Sequence, residues 1–337
     1  MTFFVKTIYK FQRQIITHFV NDRHLAPDYL MNEFPNFGFD TSAVVPANAA
    51  IPGDQWRLLR RLAIPNKFNQ PDGRTVKRGL ALDVEATGLS LENDDVIQLA
   101  MLPFDYDPSD GRITDVHKEL SFEGFREPSL PISEEASIIT GITDQMVSGQ
   151  SIDETKVRLI VEQSDLIFAH NAFFDRVMVE KHWPCFSEKP WACTFKSIDW
   201  LREGFSAGKL DYLGMQFGWF YDGHTALADC EACLALLAQT LPKSGRRVLE
   251  VVREAAQQTE HLICAIDAPF DEKDTLRDRG YRWRPVGLKN GKVWWTTCLD
   301  KEAEIRWLHS EIYRYEKNIP TQEVTALTRY SNRLWDF

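Results

Sequence analysis

Gly79-Leu80-Ala81-Leu82-Asp83-Val84-Glu85-Ala86-Thr87-Gly88-Leu89 is an apolar approach that ends on two acids and closes on Thr-Gly. An apolar run bounded by a turn signal reads as a buried strand that ends in a turn. Side chains two residues apart on a strand share a face, so Asp83 and Glu85 point together while Val84 points away into packing. Carboxylates held side by side repel, which is costly unless a cation sits between them. For this run alone, a pair of solvated acids at a strand end is the plain alternative.

Two further runs remove that plainness. Asp165-Leu166-Ile167-Phe168-Ala169-His170-Asn171-Ala172-Phe173-Phe174-Asp175 is an apolar strand, an asparagine and then a helical pattern through Val177, Met178 and Lys181. Asp175 falls in the first turn of that helix, where the helix dipole favours a carboxylate. His224-Thr225-Ala226-Leu227-Ala228-Asp229 follows Asp222-Gly223 and opens an alanine- and leucine-rich helix. His224 lies at or just before its start and Asp229 within it, so a metal-ligating carboxylate and a mobile imidazole face one cleft from one element. Singly, Asp175 reads as a cap and His224 as a cap or surface residue; their order with the first run gives them chemistry.

In this order and at these separations the runs resemble the DEDDh, or DnaQ-like, family of 3′ to 5′ exonucleases, whose fold is ribonuclease H-like. The resemblance spans roughly residues 79–241. It implies that Asp83, Glu85, Asp175 and Asp229 bind two divalent cations and that His224 is the general base. The tyrosine-containing subfamily has a tyrosine four residues before its last aspartate, where this chain has Thr225, so the histidine subclass fits. Thr87-Gly88-Leu89, Thr140-Gly141-Ile142-Thr143 and Lys209-Leu210-Asp211-Tyr212-Leu213 also look like the family. Many members have threonine where Val84 and Ala86 stand and histidine where Thr140 stands; these positions are not metal ligands and bear on substrate contact. By the same resemblance Thr87, Gly88, Leu89, Asn171 and Phe174 receive the terminal nucleotide, with Gly88 letting the backbone approach the sugar and Leu89 wedging against the base. Ordinary core packing is the alternative for Leu89 and Phe174.

The chemistry explains the residue types. Two cations about 3.5–4 Å apart stabilise both the attacking and the leaving oxygen of an in-line displacement. Carboxylate ligands favour hard Mg²⁺ or Mn²⁺ over zinc, and an imidazole can accept the proton of the attacking water. The expected reaction is hydrolysis at the 3′ end of single-stranded or frayed DNA, releasing nucleoside monophosphates. Similarity to the proofreading subunit of bacterial DNA polymerase III favours DNA over RNA. An RNA-trimming exoribonuclease and a catalytically silent nucleic-acid-binding scaffold are the alternatives.

Composition is compatible with a cytoplasmic enzyme of more than one unit. The chain has 337 residues, no apolar run approaching the roughly 20 needed to span a bilayer, and no secretory signal pattern. A zinc site built from Cys230, Cys233, Cys185 and Cys193 lacks knuckle spacing, and reduced core thiols are the preferred reading of the six cysteines. The net charge of −10 is uneven: residues 1–79 carry +5, residues 80–241 carry −17 and residues 242–337 carry +2. The acidity therefore belongs to the segment with the metal-ligand pattern, and the flanks are either a positive surface for phosphates or ordinary solvated surface.

The expected fold is α/β: a ribonuclease H-like domain at 79–241 with a mixed central sheet, an N-terminal extension at 1–78 and a small α+β module at 260–317. Within the domain, strands are expected at Leu80–Val84, Asp95–Phe104, Thr114–Phe122 and Leu166–Ala169, with helices through 133–162 and onward to Leu241. The extension shows helical patterns at Phe4, Ile8, Phe11 and Ile15 and again over Gln55–Ile64. It reads as an appendage that packs on the nuclease or binds a polymerase or repair partner. Gln98–Phe104 superficially resembles a sliding-clamp peptide but lies in an expected core strand. In the module, strands at Leu262–Ile266 and Lys292–Thr296 and helices at Asp271–Arg279 and Lys301 to about Lys317 are expected. Trp294 and Trp295 point to opposite faces, as core residues or with one stacking a base beside Arg282 or Arg284.

Overall fold

The computed structural model describes residues 57–285 and 289–336; the pattern at Phe4 to Ile15 lies outside the described residues. Residues from Arg60 onward form one compact unit. Within the larger unit β1 (Arg60–Arg61) precedes the two long strands, β2 (Lys77–Ala86) and β3 (Val96–Tyr106), which pair antiparallel with Glu85 opposite Gln98. β4 (Ile113–Val116) and β5 (Phe122–Phe125) both run antiparallel to β3. Helices α1 (Glu134–Thr140), α2 (Asp144–Val147) and α3 (Glu154–Glu162) lead to β6 (Leu166–Ala169), which lies parallel to β2 on its other side. Then follow α4 (Ala172–Glu180), β7 (Trp191–Cys193) parallel to β6, α5 (Leu210–Gln216), β8 (Trp219–Phe220), α6 (Ala226–Leu237) and α7 (Val248–Gln257). The order β4-β3-β2-β6-β7, with β5 also on β3, is the expected mixed sheet.

Each face of this sheet has its own core. Leu80, Leu82 and Val84 pack with Val157 and Val161 of α3 and Met178 of α4. Ala81, Ala100 and Leu102 pack with Cys230, Cys233 and Leu234 of α6. Asp83 and Glu85 are in phase with Ala81, so strand alternation turns both acids to the α6 side.

Several expected elements differ. The single strand at Thr114–Phe122 is broken by a 3₁₀ turn at Lys118–Leu120, where the Leu120 N–H donates to the His117 carbonyl and the His117 ring bonds Asp105. Of the helix expected over Gln55–Ile64, the first two residues lie outside the described residues; over 57–64 there is no helix, and the N–H groups of Arg60 and Leu62 donate to the carbonyls of Gly218 and Phe220, which makes β1 a parallel partner of β8. Neither β7 nor β8 was expected between Ala169 and Leu241. Strands of two or three residues are defined by a partner distant in sequence and have no periodicity of their own.

C-terminal to α7, β9 (Glu260–Ala265), α8 (Lys273–Asp278), β10 (Arg282–Arg284), β11 (Val293–Cys298) and α9 (Lys301–Trp307) are followed by β12 (Thr321–Val324). The four strands form an antiparallel sheet in the order β10-β11-β9-β12. α9 runs into a π-helical stretch at Leu308–Tyr313 that ends at Arg314 in the left-handed conformation, short of Lys317. Trp294 packs with Ile263 and Leu276 on one face, and Trp295 with Leu262 and Val324 on the other. β12 was not expected from the sequence; it pairs with β9 beyond the limit of residue 317.

The segment after β12 is tied to α4 by a buried cation. Arg176 is fully buried; its guanidinium donates to the carbonyls of Ala326, Leu327 and Arg329 and, at 2.7 Å, to Glu180 Oε1. Beside it the Trp191 N–H donates to the Ala326 carbonyl, so this segment borders β7. Removing one member of a buried ion pair leaves the other uncompensated, at about 3–5 kcal/mol. Arg176→Ala is expected to lower the urea-unfolding free energy by that order, whereas a loss below about 1 kcal/mol would show the segment to be loosely held.

Candidate active site

Strand β2 supplies two acids to one face, α4 one from its first turn and α6 one from its first turn. Carboxylate oxygens of Asp83, Glu85 and Asp229 lie within 4.8 Å of one another, an arrangement of potential metal ligands found at no other place among the described residues. The β2–β3 register shifts between Glu85 and Ala86, a bulge directly after the second acid. Such irregularities re-aim side chains near functional sites. Asp175 is buried and stands outside the group of three, yet its charge acts on both Asp83 and Glu85.

Burial and mutual repulsion make the four acids hard to ionise. Asp83 is held well above the carboxylate range by burial and then by the charges of Asp229, Asp175 and Glu85. Glu85 is pushed up to about 8 by burial, Asp229 and Asp175. Asp175 is pushed up to about 7, chiefly by burial, against hydrogen bonds from its own and Val84's backbone N–H groups. Asp229 is raised by burial, opposed by Tyr221 and His224. Converging carboxylate oxygens whose charges are destabilised by one another could hold a metal ion.

The approach to α6 is shaped around Asp229. His224 is exposed and adopts φ +68°, in the left-handed region that non-glycine residues enter uncommonly. Its backbone N–H donates to Asp229 Oδ2 at 2.9 Å. The Tyr221 hydroxyl donates to Asp229 Oδ1 at 2.6 Å. Gln98, buried opposite Glu85, accepts from the Ala226 N–H at 3.2 Å and donates to Glu123 at 3.0 Å, anchoring the first residue of α6 to β3. Sequence reading missed Tyr221 and Gln98. The only signal for Tyr221 was an aromatic hydroxyl close to the histidine run, and Gln98 was read as part of a core strand.

A cleft of about 280 Å³ adjoins Glu85 and is lined among others by Gly88, Leu89, Ser133, Thr140 and Phe174. Leu89 is 88% exposed, which rules out core packing for it, and Phe174 is partly buried. Asn171 is exposed immediately before α4. The Thr87 hydroxyl is used within its own turn, donating to Asp94 Oδ1 at 2.9 Å and accepting from the Asp95 N–H at 3.0 Å. A Cβ at Gly88 would lie 2.5 Å from Asp94 Oδ2, so a side chain there would displace the carboxylate that accepts from the Thr87 hydroxyl and the Ser90 N–H. Cys193, Cys230 and Cys233 are buried free thiols, and the Gln98–Phe104 run is buried within β3. Among the described residues no helix is long and apolar enough to cross a membrane.

The sequence model of the exonuclease (RNase T) family matches residues 80–237. Among curated proteins, a PolC-type DNA polymerase III of Listeria monocytogenes is 32% identical over 178 residues, 49% of this chain and 11% of that protein. Its counterpart in Clostridium perfringens is 36% identical over 106 residues, 31% of this chain and 7% of that protein. The chain thus spans about a tenth of the length of these relatives. Among solved structures, Exonuclease X in complex with 5′ overhanging duplex DNA is 25% identical with a TM-score of 0.40, over 52% of this chain and 99% of that one. E. coli Exonuclease I in complex with a dT13 oligonucleotide is 18% identical with a TM-score of 0.42, over 56% and 48%.

The raised acids set a pH dependence for the metal-free protein. A carboxyl whose affinity for protons rises on folding makes the folded state bind more protons than the unfolded chain, so stability falls as pH rises. The loss begins above the ordinary carboxylate range near 4 and runs through the values of about 7 for Asp175 and about 8 for Glu85. In EDTA the melting temperature is expected to fall between about pH 5 and about pH 8.5, and Mn²⁺ to restore it most at the alkaline end. Asp83→Asn should raise the EDTA melting temperature at alkaline pH by a few degrees; a value independent of pH in EDTA would contradict this electrostatic account.

Proposed function

We propose, from the premise that residues 80–237 are an exonuclease domain of the RNase T, DnaQ-like kind, that the protein hydrolyses phosphodiester bonds from the 3′ end of single-stranded or frayed DNA. The observation that carries this reading is the convergence of Asp83, Glu85 and Asp229 oxygens within 4.8 Å, with Asp175 buried beside them. On this reading the four carboxylates hold two divalent cations, Mg²⁺ or Mn²⁺. When bound, these supply the positive charge that activates water and stabilises the departing oxygen. His224, exposed ahead of α6, accepts the proton of the attacking water. The released product is a nucleoside monophosphate.

The adjoining cleft supports a place for the terminal nucleotide. Leu89 presents its apolar side chain to solvent, and Phe174 and the Gly88 turn line the space beside Glu85. An exposed leucine next to a half-buried acidic group suits a base stacked at the end of a strand, with Asn171 as a polar contact. The names of the curated relatives favour DNA over RNA and a polymerase or repair partner. A cytoplasmic site of action belongs to the same reading.

The test is digestion of matched 5′-labelled DNA and RNA oligomers with Mg²⁺ or Mn²⁺. Shortening from the 3′ end is expected with DNA. Asp83→Ala and His224→Ala should each lower the rate by at least about 100-fold. A faster RNA ladder would turn the reading to RNA trimming. Tight binding without cleavage of either polymer would indicate a silent scaffold, and shortening from the 5′ end would overturn the polarity.

A further inference from the structure

We infer that Tyr221 is a positioning residue that, together with the backbone of His224, fixes the orientation of the Asp229 carboxylate toward the cations. The inference rests on the exonuclease reading above and concerns Tyr221, a residue that its motif does not include.

The two oxygens of Asp229 are held by two different donors from one turn. Oδ1 accepts from the Tyr221 hydroxyl at 2.6 Å, and Oδ2 accepts from the His224 N–H at 2.9 Å. A carboxylate on a helix can rotate about its terminal torsion, which is broad and weakly restrained. Fixing both oxygens removes that freedom, and each oxygen keeps a further lone pair for a cation. The same turn carries the His224 side chain at a φ of +68°. The carboxylate and the imidazole are therefore placed by one local structure, and loosening Asp229 loosens the turn that presents His224.

Tyr221 is itself secured from outside the motif. Its ring lies 5.8 Å from that of Trp219, which is 1% exposed, and Trp219 and Phe220 form β8. β8 is clamped in turn by β1: the Arg60 N–H donates to Gly218 and the Leu62 N–H to Phe220, at 3.1 and 2.8 Å. Arg61 adds a bond to Asp222 Oδ2 at 2.8 Å, and its guanidinium lies 5.2 Å from the centre of the Phe220 ring. Residues 60–62, which precede the span matched by the exonuclease family, thus buttress the strand that delivers Tyr221.

The test is Tyr221→Phe, which removes the hydroxyl and keeps the ring against Trp219. Partners that orient a metal ligand are worth about 10- to 100-fold in metal affinity or activity. Mn²⁺ binding by isothermal titration is expected to weaken about tenfold, and the Mg²⁺ concentration for half-maximal cleavage to rise in parallel. The KM for the DNA oligomer should stay within about twofold, because Tyr221 makes no part of the nucleotide cleft. The far-UV circular dichroism spectrum of the metal-free variant should match that of the wild type, which separates positioning from misfolding. Unchanged Mn²⁺ affinity in Tyr221→Phe would overturn the inference. Because Mn²⁺ affinity is read without turnover, a wild-type protein that binds Mn²⁺ and cleaves no polymer would overturn the exonuclease reading and leave the clamp separately decided.

Discussion

The mutual repulsion of half-buried carboxylates at the end of β2 is the constraint around which the larger unit is organised. Three oxygens within 4.8 Å and a fourth acid beside them oppose folding whenever the acids are charged. Donors placed by surrounding elements offset part of that cost. Backbone N–H groups of Val84 and Asp175 face one acid, and Tyr221 with the His224 N–H faces another. Asp83 and Glu85 have no comparable relief among the factors that set their proton affinity, which all act to raise it. The imbalance persists in the protein alone, and a metal ion held by these acids would offset it.

Local pattern made the acids legible. The two-residue period of β2 put Asp83 and Glu85 on one face, and the sheet turns that face toward α6 because Ala81, in phase with them, packs there. Asp175 was readable as a first-turn residue of α4 and His224 as a residue ahead of α6, since both follow from helix boundaries. β7 and β8 were not legible. Trp191–Cys193 and Trp219–Phe220 are too short to show alternation, and each exists through hydrogen bonds to a segment far away in the chain. The helical pattern over Gln55–Ile64 gave way at Arg60 for the same reason: β8 offered carbonyl partners that a helix would have forgone. Tyr221 shared this fate, because its role depends on a partner eight residues ahead whose orientation only the folded turn defines.

Alternation also settled part of the C-terminal sheet. Trp294 and Trp295 do face opposite ways, and each is packed into a separate cluster, so both serve the core of their sheet. Trp283 differs: it pairs across the strands with Trp294 and remains 47% exposed. The strand that closes this sheet, β12, was missed because Thr321–Val324 alternates too briefly to be distinguished from a loop.

A family match marks where the chemistry is encoded, and the physical unit that holds the chemistry is larger. The match ends at residue 237 and begins at residue 80. Two of its elements nevertheless lean on residues outside it. β8, which carries Tyr221 toward Asp229, is paired with β1. α4, which carries Asp175, has Arg176 as the next residue, and that buried guanidinium is satisfied by carbonyls of residues 326–329 together with Glu180. A charge so deeply buried requires all of its acceptors, so α4 and the final segment are fixed to each other. Because the placement of the four carboxylates depends on the elements that carry them, these outer supports belong to the site as much as its acids do. The one compact unit that runs from Arg60 to the C-terminal segment is the structural expression of that requirement.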